Sequence, residues 1–387
     1  IAVDSTLLSS SVVQTVIIGG GLAGLTLAAR LAETGHAVVV LEKETYPFHK
    51  VCGEYISRES ADFLTRLGVP LAALDLPDIR RLTVTAPDGA ALHRPLGLGG
   101  IGVSRFFLDQ YLAKLVRARG GDVREGVRVA DVAFDPGADC FALATSAGPV
   151  RARVVAGAWG RRANLDVKLA RPHLANRADA ARNYVAVKHH LRLPDFPPDL
   201  IELHNFADGY AGLSRVEDGR TCMAYLTTAE QLRRAGSVAA LEATVLRQNP
   251  ALAARLAPAE ELIRPPLAIS HVTFSRKAPV EQHVLLLGDA AGTIAPLCGN
   301  GMSMGMHAAH VLAGLLADYF GGTLSRPALE AAYTRAWDAR FGFRILAGRT
   351  IQRFFGSPAL TASVVRGLRA VPWAADGLIR LTHGRPF

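Results

Sequence analysis

Cysteine is scarce, with four in 387 residues, at positions 52, 140, 222 and 298. None forms a Cys-x-x-Cys pair, and the spacings match neither a disulfide framework nor a metal site, so no metal is expected. So few unpaired thiols fit the reducing cytoplasm. Long apolar runs are missing too. The richest stretch, residues 302–320, contains His307, His310 and Asp318, so no segment reads as a membrane span of about 20 residues. Runs of one charge are absent despite a net charge of +9 and a pI near 9.7. Arg80-Arg81, Arg161-Arg162 and Arg233-Arg234 are short and scattered, and no aromatic-interleaved strip accompanies them, which argues against nucleic acid as a partner. A generally basic surface suits an anionic small molecule, an acidic carrier protein or an anionic membrane, but an arginine-rich proteome is the preferred explanation. There is no repeat and no low-complexity tract. Residues 1–13 are serine-rich and read as a loose tail, and a start at Ile1 rather than Met suggests that the true N-terminus lies upstream.

Glycine, by contrast, is plentiful and patterned. The apolar run Val16-Ile17-Ile18 leads into Gly19-x-Gly21-x-x-Gly24. The spacing predicts a helix over about Leu25 to Glu33, stopped by Gly35, and then a second apolar strand, Val38 to Leu41, ending on Glu42. Gly19 permits the tight turn, Gly21 lets backbone approach a pyrophosphate, and Gly24 lets helix and strand pack closely. The helix N-terminus offers free N–H groups to phosphates. Glu42, 18 residues past Gly24, can accept hydrogen bonds from a ribose diol. The unit predicts a bound dinucleotide.

A second glycine-rich region narrows the choice. Val284 to Leu287 runs into Gly288-Asp289-Ala290-Ala291-Gly292, followed by Pro296-Leu297-Cys298-Gly299-Asn300-Gly301 and a long helix from about Met302. Small residues let backbone approach something flat. Asp289 can take hydrogen bonds from a ribityl chain. The helix start over Gly299, Asn300, Gly301 and Met302 would aim N–H groups at the edge where a reduced flavin gathers negative charge.

These two motifs, with Val103-Ser104-Arg105-Phe106-Phe107-Leu108-Asp109 as a third, resemble the FAD-dependent group that includes p-hydroxybenzoate hydroxylase-type enzymes, flavin-dependent halogenases and geranylgeranyl reductases. The resemblance covers most of residues 14–340. It implies that Arg105 touches the cofactor and that Leu22, Ala23, Lys43 and Val129 join the cofactor contacts. It implies an α/β fold with a Rossmann-like FAD-binding domain of the glutathione-reductase type, an inserted antiparallel β-sheet substrate domain and a C-terminal helical region. The FAD domain would take in residues 12–75, 100–168 and 275–345, the substrate domain 76–99 and 169–274, and a helical cap 346–387. Within the insertion, Tyr184 to Leu191 alternates roughly, and Ile201 to Thr228 reads as a meander turning at Asp208-Gly209 and Asp218-Gly219. His204, Phe206, Tyr210 and Tyr225 are candidates to line the pocket, or else ordinary sheet packing.

The segment Tyr46 to Ser57 follows the ribose-binding strand and can reach the flavin ring. Its Cys52-Gly53-Glu54 triplet resembles the matching segment of geranylgeranyl reductases. Cys52 could be a weak proton donor or a space-filler, and Glu54 a general acid, a general base or an orderer of the loop. His49 and Lys50 read as solvated or phosphate-facing. One departure stands out: Trp159 occupies the place of the acid in the Gly-Ala-Asp-Gly motif that the aromatic hydroxylases use for cofactor and pyridine-nucleotide contacts. Its loss favours a separate reductase over direct use of NAD(P)H. Halogenation is disfavoured, because no Trp-x-Trp-x-Ile-Pro stretch is present. The aromatic-Trp-Phe-Pro box of prenyl reductases is missing too. Three readings remain. The first is a monooxygenase that hydroxylates a phenolic or polyketide-like small molecule, including a lipid-like or carrier-bound one, through a flavin hydroperoxide. The second is flavin-dependent reduction of isolated double bonds. The third is a non-catalytic flavin-binding protein.

Overall fold

The computed structural model describes residues 12–161, 163–175, 183–274, 277–295, 299–354, 357–382 and 384–387. Most of the serine-rich start, and the stretch 296–298 of the second glycine-rich region, lie outside the described residues. The fold is mixed α/β with two sheets and helices.

Five parallel strands form the first sheet, in the order Val284–Leu286, Gly148–Gly157, Val13–Ile18, Val38–Leu41 and Asp122–Arg124. A short antiparallel strand, Val280–Glu281, closes one edge. The central strand pairs on both sides, Ile17 with Val40 and with Ala156. A parallel sheet covered on both faces needs continuous apolar strands, which is why Val16 to Ile18 and Val38 to Leu41 are buried throughout. Val129–Asp135 and Cys140–Thr145 add an antiparallel meander against Gly148–Gly157.

The first helix runs Leu22–Glu33, three residues longer at its start than the sequence predicts. Gly21 is extended (φ −79°, ψ 178°) and caps the helix without any side-chain bond. Gly24 therefore lies inside the first turn, where an added Cβ would collide with the Gly19 carbonyl. Leu25, Leu27 and Leu31 are fully buried, each contributing about 1.5–3 kcal/mol through removal from water. The long helix runs Gly301–Phe320 and lies against the first one. Gly305 makes that approach possible, since its Cβ would sit 3.3 Å from Ala23 Cβ.

The second sheet takes strands Glu260–Glu261, Tyr184–Arg192, Thr221–Thr228, Gly209–Arg215, Leu200–Phe206, Asp78–Thr85, Ala91–Gly102 and Tyr55–Ser57 in that order, with Leu267–Val272 also on Tyr184–Arg192. It is not wholly antiparallel: Leu200–Phe206 runs parallel to Asp78–Thr85. More than a hundred residues separate those two strands in sequence, so no hairpin dictates their relative direction. The turns fall where Asp-Gly predicts them, with Asp208 at φ 58° and Asp218-Gly219 at 58° and 68°. Helices Arg326–Trp337, Phe343–Phe354, Pro358–Ala370 and Pro372–Thr382 follow. The last two cover part of this sheet, with Ala362, Val365 and Ala375 against Val84, Ala86 and Leu92. No helix among the described residues is long and apolar enough to cross a membrane.

Candidate active site

Where the parallel strands end, the glycine loop meets a set of charges. Gly20 N–H donates to Glu42 Oε2 at 2.8 Å, and Glu44 N–H to its Oε1 at 3.0 Å. Glu42 is buried although charged. Tyr46 packs over Gly20, its hydroxyl donating to the Gly20 carbonyl. Gly21 faces two cations: a Cβ there would lie 3.5 Å from both Arg105 Nη2 and Lys50 Nζ. Asp109 holds both, through a bidentate pair with Arg105 (2.8 and 2.7 Å) and an ion pair with Lys50 (3.2 Å). Burial depresses the Lys50 ammonium, and Asp109 partly opposes the effect. An uncapped helix start, a bare glycine and two half-buried cationic side chains make a cradle for a diphosphate. The chain thus fits a dinucleotide such as FAD.

Lys43 and Val129 are two further residues expected to join the cofactor contacts. Lys43 is exposed and lies 3.6 Å from Glu44. Val129 starts a strand opposite Thr145, and the N–H that reaches the Glu42 carbonyl belongs to Val127.

At the second glycine-rich region, Gly288 (φ 55°) packs on Ala23. The Asp289 carboxylate accepts from Arg161 Nε at 3.1 Å, and its carbonyl accepts from Lys277 Nζ at 2.8 Å. Burial lowers Lys277 to about 8 despite the nearby Asp289 and Asp166. Gly299 (φ 67°) leaves room for the Tyr55 ring, which a Cβ would touch at 2.9 Å. Asn300 is the N-cap of the long helix and makes no side-chain cap bond. Gly301 and Met302 form its first turn.

The Cys52 segment lies against this helix start. Cys52 Sγ is 3.8 Å from Met302 Sδ and accepts the Glu54 N–H at 3.4 Å. Glu54 adopts φ 55°, a region costly for a residue with a side chain. Its side chain is fully buried. Oε1 accepts from Arg105 N–H at 2.8 Å and from Lys188 Nζ, and Oε2 lies 2.6 Å from His190 Nε2. Burial alone would raise this carboxyl, but the His190 hydrogen bond and the Lys188 charge override it and hold it at about 2. Glu54 is therefore a fixed anion. Cys222 completes the cluster, its thiol donating to the Cys52 carbonyl at 3.4 Å. Glu54, His190 and Cys222 are close enough to ligate an ion, yet Lys188 already supplies the positive charge at that point. His49 stacks on Phe106 at 4.5 Å and meets the His190 ring edge-on at 5.2 Å. Burial and the neighbouring Lys188 and His190 push it down to about 4, so it is neutral near pH 7.

Sequence reasoning missed Lys188 and His190. The available signal was a run of three polar residues, Lys188-His189-His190, in an otherwise apolar strand. Trp159 keeps the place expected of an acid, but its indole donates to Asp166 Oδ1 at 3.1 Å. Asp166 also takes Arg171 at 2.9 Å and the Ala163 N–H at 2.8 Å, so a buried acid is restored seven residues on. Three of the suggested pocket residues serve the sheet itself. His204 bonds Thr85 and Glu202 (2.9 and 3.1 Å), Tyr225 donates to Glu242 at 2.8 Å, and Tyr210 packs with Ala186 and Leu226. Phe206 borders an open cavity of about 570 Å³ beside Asn249 and Pro358.

A family model described as FAD binding domain matches residues 12–339. Conditioned medium factor receptor 1 of Dictyostelium discoideum is 26% identical over 371 residues, spanning 89% of this chain and 71% of that protein. Among solved structures, the flavin-dependent brominase Bmp2 superposes with a TM-score of 0.77 at 19% identity, over 96% of this chain and 93% of that one. A geranylgeranyl bacteriochlorophyll reductase-like protein of Thermoplasma acidophilum gives 0.76 at 17%, over 92% and 91%. The myxobacterial chondrochloren halogenase CndH gives 0.72 at 21%, over 87% and 82%. At such identities these structures speak for the fold alone.

Proposed function

The chain belongs to the FAD binding domain family, and we propose that this flavin-dependent oxidoreductase is a monooxygenase hydroxylating a phenolic or polyketide-like substrate. Bound FAD would supply two-electron redox chemistry with oxygen. Arg105 and Lys50 would hold its pyrophosphate, Glu42 its adenosine ribose, Asp289 its ribityl end, and the N–H groups from Gly299 to Met302 its pyrimidine edge. Those N–H groups favour negative charge on that edge. The second sheet would carry the substrate.

The observation that carries the choice of reaction is the state of Glu54. Reducing an isolated double bond requires a proton donor beside the accepting carbon. Glu54, the acid of its segment, is buried, paired and held at about 2. It orients the loop and donates nothing. A hydroxylase needs such a dry site without stray protons. Double-bond reduction is the second reading, favoured by the Cys52 thiol at the start of the Met302 helix.

Glu54→Gln and Cys52→Ala separate the two when product, flavin reduction and peroxide are followed together. A hydroxylase responds chiefly with more oxygen consumed as peroxide. A reductase responds with product formation slowed more than flavin reduction, and that result defeats the hydroxylase reading. The electron donor is NAD(P)H or a partner reductase. With Trp159 in the acid's place, mixing with NADPH without oxygen is expected to bleach the flavin slowly. Fast bleaching without substrate or partner removes the case for a reductase.

A further inference from the structure

The C-terminal helices carry a surface that the proposed chemistry does not use. Seven of the ten large hydrophobic residues exposed among the described residues fall between 343 and 381. Trp373 is 78% exposed, Phe343 64% and Leu346 61%. A folded protein usually scatters such residues singly, and so many on three helices that pack on one another point to an interaction surface. Helix geometry turns them outward. In Pro372–Thr382, Ala375 and Ile379 are one turn apart and face inward, against Val84 and Leu92 and against Tyr55 and Leu96. Trp373, Arg380 and Leu381 then point away from that contact. In Phe343–Phe354, Phe343 and Leu346 share a face, while the neighbouring Arg344 turns in to Glu59 at 2.9 Å.

Charge separates the occupants that could cover this surface. Residues 338–387 contain eight arginines, no lysine and two acids, Asp338 and Asp376: a net +6 of the chain's +9. Asp376 is neutralised by Arg94 at 2.5 Å, and Arg344 and Arg366 are paired with Glu59 and Asp88, which leaves the segment strongly positive. Arg340, Arg369, Arg380 and Arg385 are exposed. Self-association through such a face would bring arginines against arginines. An anionic bilayer meets both demands, because headgroups pair with guanidinium groups while aromatic and aliphatic side chains enter the acyl boundary.

We propose that the helices from Phe343 to Thr382 dock this protein on the surface of an anionic phospholipid membrane, lying on it without crossing it. The docked face borders helices that pack on Tyr55 and the second sheet, so a membrane-dissolved substrate would reach the molecule from that side.

The test uses the whole chain and needs no turnover, so it stands or falls apart from the proposed reaction. Vesicles of phosphatidylcholine alone are compared with vesicles holding about 30 mol % phosphatidylglycerol, by cosedimentation and tryptophan emission. Trp337 is buried and Trp159 partly so, which makes Trp373 the reporter of insertion. Binding to the anionic vesicles is expected to be at least about tenfold tighter, to shift emission to the blue and to vanish in about 0.5 M salt. Trp373→Ser with Phe343→Ser is expected to abolish it, with flavin content and circular dichroism kept as checks on folding. Failure to bind anionic vesicles overturns the proposal. So does equal binding by the double variant, or a dimer in light scattering that the same substitutions dissolve.

Discussion

Glu54 shows how one side chain can stabilise the fold and constrain its chemistry. Its carboxyl sits at about 2 against an ordinary 4.5. A folded value below the unfolded one means that its contribution is complete above about pH 4.5 and is lost as pH falls toward 2. Glu202, buried and held at about 2 by His204 and Arg255, adds to the same acid window. Removing a partner is the harsher test. Lys188→Met leaves a buried anion with less compensation and is expected to cost about 3–5 kcal/mol at pH 7. It also moves the acid loss to higher pH, because one of the charges holding Glu54 down is gone. Adding Glu54→Gln to Lys188→Met should restore part of the loss. Urea unfolding at pH 7 and pH 4 measures both effects. A double variant no better than Lys188→Met would mean that Lys188 acts through packing alone. None of this was readable in the segment itself. Glu54 and Lys188 are 134 residues apart, and Glu54 and His190 are 136 apart. Local pattern cannot register such a pairing, and the bland reading of an alternating strand hid the two partners.

Among elements, local chemistry was far more legible. The body of the Leu22–Glu33 helix from Leu25 onward, its stop at Gly35 (φ 78°) and the two flanking strands all follow from glycine spacing and apolar runs. The helix starts at Leu22 rather than Leu25, so Gly24, expected to let helix and strand pack closely, does so from inside the first turn. The same distinction gives a prediction for Gly305. A methyl group there would be in tight contact with Ala23, 3.3 Å away, so the neighbour must give by a few tenths of an ångström, while Ala gains about 1 kcal/mol of helix propensity over Gly. Gly305→Ala should therefore change stability by less than about 1 kcal/mol. Gly305→Leu must push the long helix off the first one, costing about 1–3 kcal/mol and loosening the flavin. Thermal unfolding and flavin content of the two variants decide this. Similar behaviour of Ala and Leu would show that the helices do not meet closely at this point.

Across the whole molecule, the two sheets are joined by specific polar contacts. Ser104, which caps the Arg105–Ala118 helix, donates its N–H to Glu217 Oε2 at 2.8 Å and its hydroxyl to Glu217 Oε1 at 2.5 Å. Glu217 belongs to the turn before Thr221–Thr228 of the second sheet. With the Glu54 cluster, this contact ties the helix that presents Arg105 to the Glu217 turn and to the Tyr184–Arg192 strand of the second sheet. We expect one cooperative unfolding transition, coincident by circular dichroism and flavin fluorescence. Glu217→Ala, which removes both bonds, should separate the two signals or lower the midpoint by several degrees. If the signals separate in the parent protein already, the two sheets unfold as independent units. The two-sheet expectation rested on the family resemblance of the motifs and on the strand pattern over residues 184–228. The parallel pairing of Leu200–Phe206 with Asp78–Thr85 remained out of reach, since nothing local fixes which distant strand becomes a neighbour.

The strand order carries a consequence for synthesis. Val284–Leu286 joins Gly148–Gly157 at the rim of the first sheet, and the glycine loop of Gly19 has waited for it since the first strands emerged. A ribosome must release the chain through residue 286 before that edge is covered and both glycine-rich regions can face each other. Until then the nascent chain exposes an apolar edge, Ala156 and Gly157, that only a late segment can pair. Cofactor capture thus has to follow the synthesis of residues 284–286, and a chain interrupted before residue 284 should accumulate as a chaperone client without flavin.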